Sequence, residues 1–171
     1  MFTLVTGGSG SGKSEYAEKL LEPCPKERKK YYIATMLPFG EEGRKRVEKH
    51  RNQRKNRNFL TVERYMNLKE IILDPQSDIL LECMSNLVAN EMFEISGHHE
   101  KTEEEIILGI EVLRKECHNL VVVTNEVSSD GIAYDHDTKE YIRVLNRVNQ
   151  RLAQMADRVI EVVHSVPHRI K

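Results

Sequence analysis

Residues 7 to 14 combine glycine, lysine and serine in the order that phosphate binding requires. They read Gly7, Gly8, Ser9, Gly10, Ser11, Gly12, Lys13 and Ser14. The glycines let consecutive backbone N–H groups turn around an anion, Lys13 places a cation near the β- and γ-phosphates, and Ser14 offers a hydroxyl to Mg²⁺. A glycine-rich turn that only joins a strand to a helix needs neither Lys13 nor Ser14. We therefore predict a purine nucleoside triphosphate, GTP or ATP, with Mg²⁺.

Glu82 stands at the carboxyl end of a compact apolar stretch, residues 79–81. Open α/β sheets place ligands at this end of their strands, where a carboxylate holds Mg²⁺ through water or accepts a proton. The alternative is a strand-end glutamate that pairs with a nearby base. Because Glu82 would face the P-loop, we assign it a catalytic role.

His50 lies late in a strongly charged segment, with Arg46 and Arg54 four residues away on either side. On a helix all three share a face, and nearby cations lower the pKa of an imidazole. A neutral imidazole is a competent nucleophile towards phosphorus, and arginines bind phosphates. A histidine on a polar helix is more often a solvated surface residue. The residues by themselves leave both interpretations open.

Other polar groups give weaker signals. The three cysteines, Cys24, Cys83 and Cys117, form no CxxC pair, so we expect reduced, mostly buried thiols and neither a disulfide framework nor zinc. His98 and His99 are adjacent in a polar loop without further ligands at metal spacing, and we expect no metal there.

The clearest central strand spans residues 120–124, and the polar sequence Thr124-Asn125-Glu126 stands at its carboxyl end. These side chains either fix a nucleotide or an acceptor, or satisfy the strand end. The polar tract 128–137 that follows is long enough to form a flap over a site.

The elements that must position these residues alternate between strands and helices. We predict strands at 2–6, 31–35, 59–62, 79–82, 120–124 and 159–163, the last closing the sheet. We predict helices after the P-loop and at 41–54, 68–73, 84–95, 102–117 and 138–155, with Thr102 and Glu105 as a capping box. The alternation predicts an α/β fold with a mostly parallel sheet covered by helices on both faces.

Length and composition are those of one globular domain, residues 1–171. No apolar run approaches the roughly 20 residues that span a bilayer, and Met1 leads directly into the first strand. We expect no membrane insertion, no signal peptide and a cytoplasmic location.

Positive charge is concentrated in residues 26–57, which carry twelve Lys or Arg against four Glu, although the net charge is −1. Such a block is a nucleic-acid footprint, a face that attracts triphosphates, or a solvated helix surface. Aromatic residues are only 6% of the chain and Trp is absent, which disfavours base stacking. We expect no nucleic-acid partner.

Several motifs together resemble one family, the bifunctional adenosylcobinamide kinase and adenosylcobinamide-phosphate guanylyltransferase of cobalamin biosynthesis. They are Leu-Val-Thr-Gly-Gly and Ser-Gly-Lys-Ser at 4–14, Tyr-Ile-Ala-Thr at 32–35, Arg-x-x-x-His at 46–50, Leu-Leu-Glu-Cys at 80–83, Val-Thr-Asn-Glu-Val at 123–127 and Arg-Val-Asn-Gln-Arg-Leu-Ala at 147–153. The resemblance implies a P-loop NTPase fold with a RecA-like sheet and a homo-oligomer, often a trimer.

The resemblance also implies two reactions. In the first, a nucleoside triphosphate held by the P-loop phosphorylates adenosylcobinamide, with Lys13 and Mg²⁺ stabilising the transferred group. In the second, His50 matches the histidine that takes GMP from GTP and passes it to adenosylcobinamide phosphate. By the same matching, the guanine nucleotide is contacted by Thr35, Met36, Leu37, Arg51, Asn52, Gln53, Arg54, Glu63 and Glu82.

The chain departs from the family pattern in three places. Gly10 stands where relatives have arginine, and Lys49 where they often have a second histidine. The stretches 131–134 and 143–146 also differ, so we expect corrinoid recognition to differ.

The residues are also compatible with two other functions. A different P-loop small-molecule kinase needs Lys13, Ser14 and Glu82 but has no use for His50. A non-catalytic nucleotide-binding regulator would contact nucleic acid through residues 41–57, and its binding would weaken steeply with salt.

Overall fold

A computed structural model describes residues 1–22, 25, 27–38, 40, 41, 48, 57–127 and 134–171. Within these residues the strands are β1 (Phe2–Thr6), β2 (Lys30–Ala34), β3 (Leu60–Glu63), β4 (Asp78–Glu82), β5 (Asn119–Val123), β6 (Arg158–Val163) and β7 (Val166–Arg169). The α-helices are α1 (Lys13–Leu20), α2 (Met84–Phe93), α3 (Thr102–Glu116) and α4 (His136–Met155). The charged helix predicted at 41–54 and the core of the predicted flap, 128–133, lie largely outside the described residues.

The strands form one sheet in the order β3-β2-β4-β5-β1-β6-β7, and all are parallel except β7. This confirms the predicted α/β class with its mostly parallel sheet. The prediction that the strand at 159–163 closes the sheet was wrong. The chain turns at His164 and Ser165, both with positive φ, and returns as the antiparallel strand β7. All four β7 residues are exposed, so no apolar pattern signalled this strand.

Both faces of the sheet are buried. Leu4 and Ile33 point into the larger core beneath α2, α3 and α4, whereas Val5 and Leu80 point into a smaller core covered by Ala17 of α1. Successive strand residues face opposite sides, so the central strands, which are covered on both faces, must be apolar throughout. This is why β1, β4 and β5 read as unbroken hydrophobic runs in the sequence.

Two local predictions were wrong. The helix expected at 68–73 is a single 3₁₀ turn, Leu68–Glu70, after which Ile71 is extended and Ile72 is exposed. The Thr102 and Glu105 capping box does not form, because a 3₁₀ turn at His99–Lys101 precedes α3. Thr102 donates its hydroxyl to the His99 carbonyl, and Glu105 pairs with Lys69.

At the amino end of the sheet, two carboxylates connect neighbouring segments of the chain. Asp78 of β4 is 1% exposed, pairs with Arg28 at 3.4 Å and accepts a hydrogen bond from Asn119 Nδ2 of β5 at 2.9 Å. Asp157 accepts from the backbone N–H of Phe2 at 2.6 Å. These contacts join β2, β4 and β5, and anchor the start of β1, at the edge opposite the P-loop.

Candidate functional site

The P-loop leaves β1 after Thr6 and enters α1 at Lys13, so strand, loop and helix follow in the predicted order, with the helix beginning inside the motif. Gly12 has φ +87° at the helix start, a backbone conformation that side chains with a Cβ rarely adopt. Lys13 is 8% exposed, and its ammonium donates to the Gly8 carbonyl at 2.9 Å. The loop borders a cleft of about 470 Å³ that also touches Glu18 and Arg57.

The turn between β6 and β7 packs directly on the P-loop. Ser165 donates its backbone N–H to the Ser11 carbonyl at 2.8 Å. A Cβ on Gly12 would lie 2.6 Å from Ser165 Oγ, and one on Gly7 would lie 2.5 Å from the Val162 carbonyl oxygen. These glycines therefore serve close packing as well as phosphate binding. No sequence pattern indicates this contact, because it joins residues more than 150 positions apart.

One hydroxyl inside the loop lacks a partner. Ser11 Oγ is buried and makes no hydrogen bond with the residues that the structure describes. An unpaired buried hydroxyl costs free energy unless a ligand satisfies it. A phosphate oxygen held by the loop would supply that partner, so the residues present fit a nucleoside triphosphate.

Glu82 meets the P-loop at the carboxyl end of β4. Its Oε1 accepts a short hydrogen bond from the Ser14 hydroxyl, and its Oε2 accepts one from the Tyr32 hydroxyl at 2.7 Å. Serine hydroxyl and carboxylate oxygens are the hard ligands that Mg²⁺ prefers. Ser14 and Glu82 are therefore the residues that fit Mg²⁺. Tyr32, which fixes the carboxylate, was not identified from the sequence.

Burial alters the acidity of the P-loop lysine. Desolvation lowers the pKa of Lys13 from its ordinary value, while the neighbouring Cys83 and Glu82 act in the opposite direction. A bound phosphate would add negative charge and favour the ammonium form. A bound anion would therefore offset the cost of burying the charged form of Lys13.

The other predicted nucleotide contacts lie far along the same edge. Thr35, Met36 and Leu37 follow β2 and Glu63 ends β3, three and four strands from β1. At about 4.8 Å per strand, Glu63 is about 19 Å from the P-loop strand. The structure does not bring these residues together with the P-loop.

Thr35 and Glu63 already have partners there. Thr35 is fully buried, donates its hydroxyl to the Cys83 carbonyl at 2.8 Å and accepts from the Cys83 N–H at 2.7 Å. Glu63 is exposed and accepts from the Tyr65 hydroxyl at 2.9 Å. Met36 and Leu37 are half-buried. His50 and Arg51 to Arg54 lie outside the described residues, so their grouping with these residues stays a prediction.

The structure describes the remaining histidines and, of the cysteines, Cys83 and Cys117. His98 Nδ1 lies 2.7 Å from Oε2 of the buried Glu91. In the part of the chain that the structure describes, no three His, Cys, Asp or Glu side chains gather as a metal site. Cys83 and Cys117 are free thiols and only half-buried, whereas Cys24 is not among the described residues.

The fold and the P-loop site define a class, the P-loop NTPases. The ATPase domain of G40P matches with a TM-score of 0.53 at 10% identity, covering 94% of this chain and 68% of that one. The flagellar accessory protein FlaH from Methanocaldococcus jannaschii matches with a TM-score of 0.52 at 12% identity, covering 99% and 77%. At such low identity these likenesses show the fold alone.

Within that class the chain belongs to the cobinamide kinase / cobinamide phosphate guanyltransferase family, whose model matches residues 3–170. Two relatives are each called bifunctional adenosylcobalamin biosynthesis protein CobU, one from Escherichia coli strain K12 and one from Salmonella typhimurium strain LT2. Each is 34% identical over 185 aligned positions, covering all of both chains. The resemblance drawn from the sequence is confirmed, and with it a transferase with kinase and guanylyltransferase activities.

No described helix is both long enough and apolar enough to span a membrane.

Proposed function

We propose that this protein phosphorylates adenosylcobinamide with ATP or GTP and then transfers GMP from GTP to the product, giving adenosylcobinamide-GDP. The observation that carries the kinase half is the contact between Ser14 of the P-loop and Glu82 of β4. That contact brings the phosphate loop and a carboxylate together at the sheet edge where α/β proteins bind ligands. Family membership supports the transferase half.

In the kinase step, backbone N–H groups of residues 7 to 12 and the Lys13 ammonium hold the β- and γ-phosphates. The acceptor hydroxyl oxygen bonds to the γ-phosphorus as the bridging bond to the β-phosphate breaks. The nucleoside diphosphate leaves, and the hydroxyl proton passes to an oxygen of the transferred phosphoryl group and then to solvent. Lys13 stabilises the negative charge that develops on the leaving group.

Ser14 and Glu82 would hold Mg²⁺, which when bound neutralises charge on the phosphates. Tyr32 keeps the Glu82 carboxylate in place by donating its hydroxyl to Oε2. With Oε1 on Ser14 and Oε2 on Tyr32, the carboxylate is oriented before a ligand arrives. Such preorganisation avoids rearrangement during the reaction.

In the transferase step, an imidazole nitrogen of His50 attacks the α-phosphorus of GTP and the bond to the β-phosphate breaks, releasing pyrophosphate. A phosphate oxygen of adenosylcobinamide phosphate then displaces histidine from the α-phosphorus. Splitting the transfer in two is nucleophilic covalent catalysis. The proposal includes Arg51, Asn52, Gln53, Arg54, Thr35, Met36, Leu37 and Glu63 as contacts to the guanine nucleotide.

Label transfer tests the covalent step. Wild type, His50→Asn and His136→Asn are incubated with Mg²⁺ and GTP labelled at the α-phosphate, and label on the denatured protein is counted. His136 is an exposed matched control at the start of α4. We expect label on wild type and His136→Asn only. Absence of label on all three would remove the transferase half and favour a simple P-loop kinase.

The proposal also includes a cytoplasmic location and a homo-oligomer, a trimer by the family resemblance. Light scattering of the purified protein gives the oligomer's mass directly. A mass equal to one chain at working concentration would contradict it.

A further inference from the structure

A polar cluster at the carboxyl ends of β4 and β5, next to Glu82 in the sheet, has no role in the chemistry described above. It consists of Cys83 and Ser85 after β4, Asn125 after β5, and Tyr141 of α4. β5 lies between β4 and β1 in the sheet, and Val123 is in register with both Glu82 and Val5. Asn125, two residues beyond, is therefore flanked by the ends of β4 and β1. Its neighbour Glu126 donates its N–H to the Gly7 carbonyl at 3.4 Å.

Only the amide nitrogen of the Asn125 side chain has hydrogen-bond partners among the described residues. Its Nδ2 donates to Ser85 Oγ at 2.8 Å and contacts Cys83 Sγ at 3.5 Å. Its backbone carbonyl accepts from Asn149 Nδ2 at 3.2 Å, and Asn149 in turn accepts from the buried Thr124 hydroxyl at 2.7 Å. These contacts fix both the backbone and the amide plane of Asn125.

The cluster beneath it is also anchored. Ser85 is 6% exposed, and its carbonyl accepts from the Tyr141 hydroxyl at 3.2 Å. Ser85 Oγ lies 2.7 Å from Cys83 Sγ. The acceptor that orients Asn125, Ser85 Oγ, is therefore itself packed between two strand ends and α4, and a rigid support of this kind positions a functional side chain.

The Asn125 carbonyl oxygen, Oδ1, makes no hydrogen bond with the described residues, and the side chain is half-exposed. An amide oxygen accepts but does not donate, so it suits a ligand with an O–H or N–H group. In the proposed reaction Lys13 serves the phosphates, and Glu82 is assigned to Mg²⁺ with Ser14. The phosphoryl acceptor still needs a group to orient its hydroxyl.

We propose that Asn125 is the positioning residue for the acceptor, with Oδ1 accepting a hydrogen bond from the alcohol that receives the γ-phosphoryl group. The hydrogen bond turns a lone pair of the alcohol oxygen towards the phosphorus, while Ser85 and Cys83 hold the amide. Asn125 does not take the proton, which leaves this hydrogen bond as the new P–O bond forms and passes to an oxygen of the transferred phosphoryl group. This inference rests on the proposed kinase reaction and names the group that selects an alcohol at that site.

A binding cycle tests the hydrogen bond. Adenosylcobinamide, and an analogue that lacks only the aminopropanol hydroxyl, are titrated calorimetrically into wild type and Asn125→Ala with Mg²⁺ and a non-hydrolysable ATP analogue. We expect wild type to bind the parent about tenfold more tightly than the analogue, the value of one hydrogen bond. Asn125→Ala binds the two equally. Retention of the wild-type preference by Asn125→Ala would overturn the inference.

Asn119→Ala is the matched control, because Asn119 begins the same strand at the opposite edge of the sheet. It should keep the tenfold preference. Asn125→Asp keeps the size and an acceptor oxygen, so it should fold and retain the preference even if Asn125→Ala does not fold. A carboxylate that instead faced nucleotide phosphates would repel them. Loss of ATP-analogue affinity in Asn125→Asp, with unchanged corrinoid binding, therefore contradicts the acceptor role.

The outcomes separate two failures. If wild type binds neither corrinoid, the proposed function fails and the inference fails with it. If wild type prefers the hydroxyl and Asn125→Ala does too, only the Asn125 assignment fails. A purely structural Asn125 would lower the melting temperature and weaken both ligands by the same factor.

Discussion

The two edges of the sheet use similar polar residues for opposite purposes. At the amino edge, Asp78 and Asp157 have all their described contacts within the protein and join neighbouring segments. At the carboxyl edge, Ser11 Oγ is buried without a described partner and Asn125 Oδ1 faces no described donor. Unsatisfied polar atoms are tolerated where a ligand satisfies them.

Ser77 Oγ at the amino edge is also buried without a described partner, so an unpaired hydroxyl alone does not mark a binding edge. The edges differ in their charged groups, because the amino-edge carboxylates join segments of the fold, whereas Lys13 and Glu82 meet at the P-loop.

Replacing Lys13 should separate activity from stability most clearly. Lys13→Met removes the cation that stabilises the transferred phosphoryl group, so phosphoryl transfer should fall about 10³-fold. The melting temperature should not fall, because burial already disfavours the ammonium, as its lowered pKa shows. Rates with γ-labelled ATP and a thermal melt measure both. Lys19→Met, in an exposed pair with Glu15 on the same helix, should leave the rate unchanged.

Replacing Asp78 should have the reverse effect. Asp78→Ala removes a buried carboxylate that pairs with Arg28 and accepts a hydrogen bond from Asn119, and we expect a loss of about 2–3 kcal/mol in the free energy of unfolding. Asp74→Ala, which breaks an exposed pair with Lys29, should cost less than about 1 kcal/mol. Urea unfolding gives both values. A large fall in kcat for folded Asp78→Ala would contradict the conclusion that the amino edge serves stability and not catalysis.

Gly12→Ala tests the place where the hairpin turn meets the P-loop. A methyl group there clashes with Ser165 and must adopt φ +87°, so unfolding free energy should fall by about 1–3 kcal/mol. Gly8→Ala is the matched variant, since a Cβ on Gly8 meets nothing within 4 Å. Equal stability of the two variants in urea would show that packing of the β6–β7 turn against the P-loop does not stabilise the fold.

The smallest expected effect concerns acid stability at the amino edge. The backbone N–H of Phe2 holds the pKa of Asp157 below its usual value. The carboxylate therefore adds stability above the unfolded pKa of about 3.9, and this contribution is lost as pH falls through the folded pKa. Asp157→Asn should be less stable than wild type at about pH 6 by under about 1 kcal/mol. Urea unfolding at decreasing pH should show the gap closing; a gap that widens in acid would contradict this.

Much of the fold was predictable because its signals are local. The apolar runs of β1, β4 and β5 are buried on both faces and so stand out in the sequence, and the P-loop lies between a strand and a helix as its motif requires. The strand β7 escaped prediction because its four residues are exposed. The capping box was wrong because a preceding 3₁₀ turn supplied another partner for Thr102.

Strand ends and residue types predicted that Glu82 faces the P-loop, whereas the roles of the site residues stay predictions. Residue types identified Lys13, Ser14 and Glu82, and the contact of Ser14 with Glu82 supports a shared role. Thr35, by contrast, matched the family motif, yet its hydroxyl is engaged by the Cys83 backbone. Tyr32 carried no signal because it lies in a buried strand, where a tyrosine reads as core.

By itself, the sequence determined the class of fold, the phosphate loop and the family, because each depends on residue type and spacing along the chain. Only the tertiary structure decided that Tyr32 orients Glu82, that Ser165 packs against Gly12, and that Asn125 is held by Ser85 beside Glu126, whose backbone contacts Gly7 of the P-loop. These contacts join residues tens to more than a hundred positions apart. Sheet order brings them together, and sheet order comes from the burial of whole strands and is not encoded in any one motif.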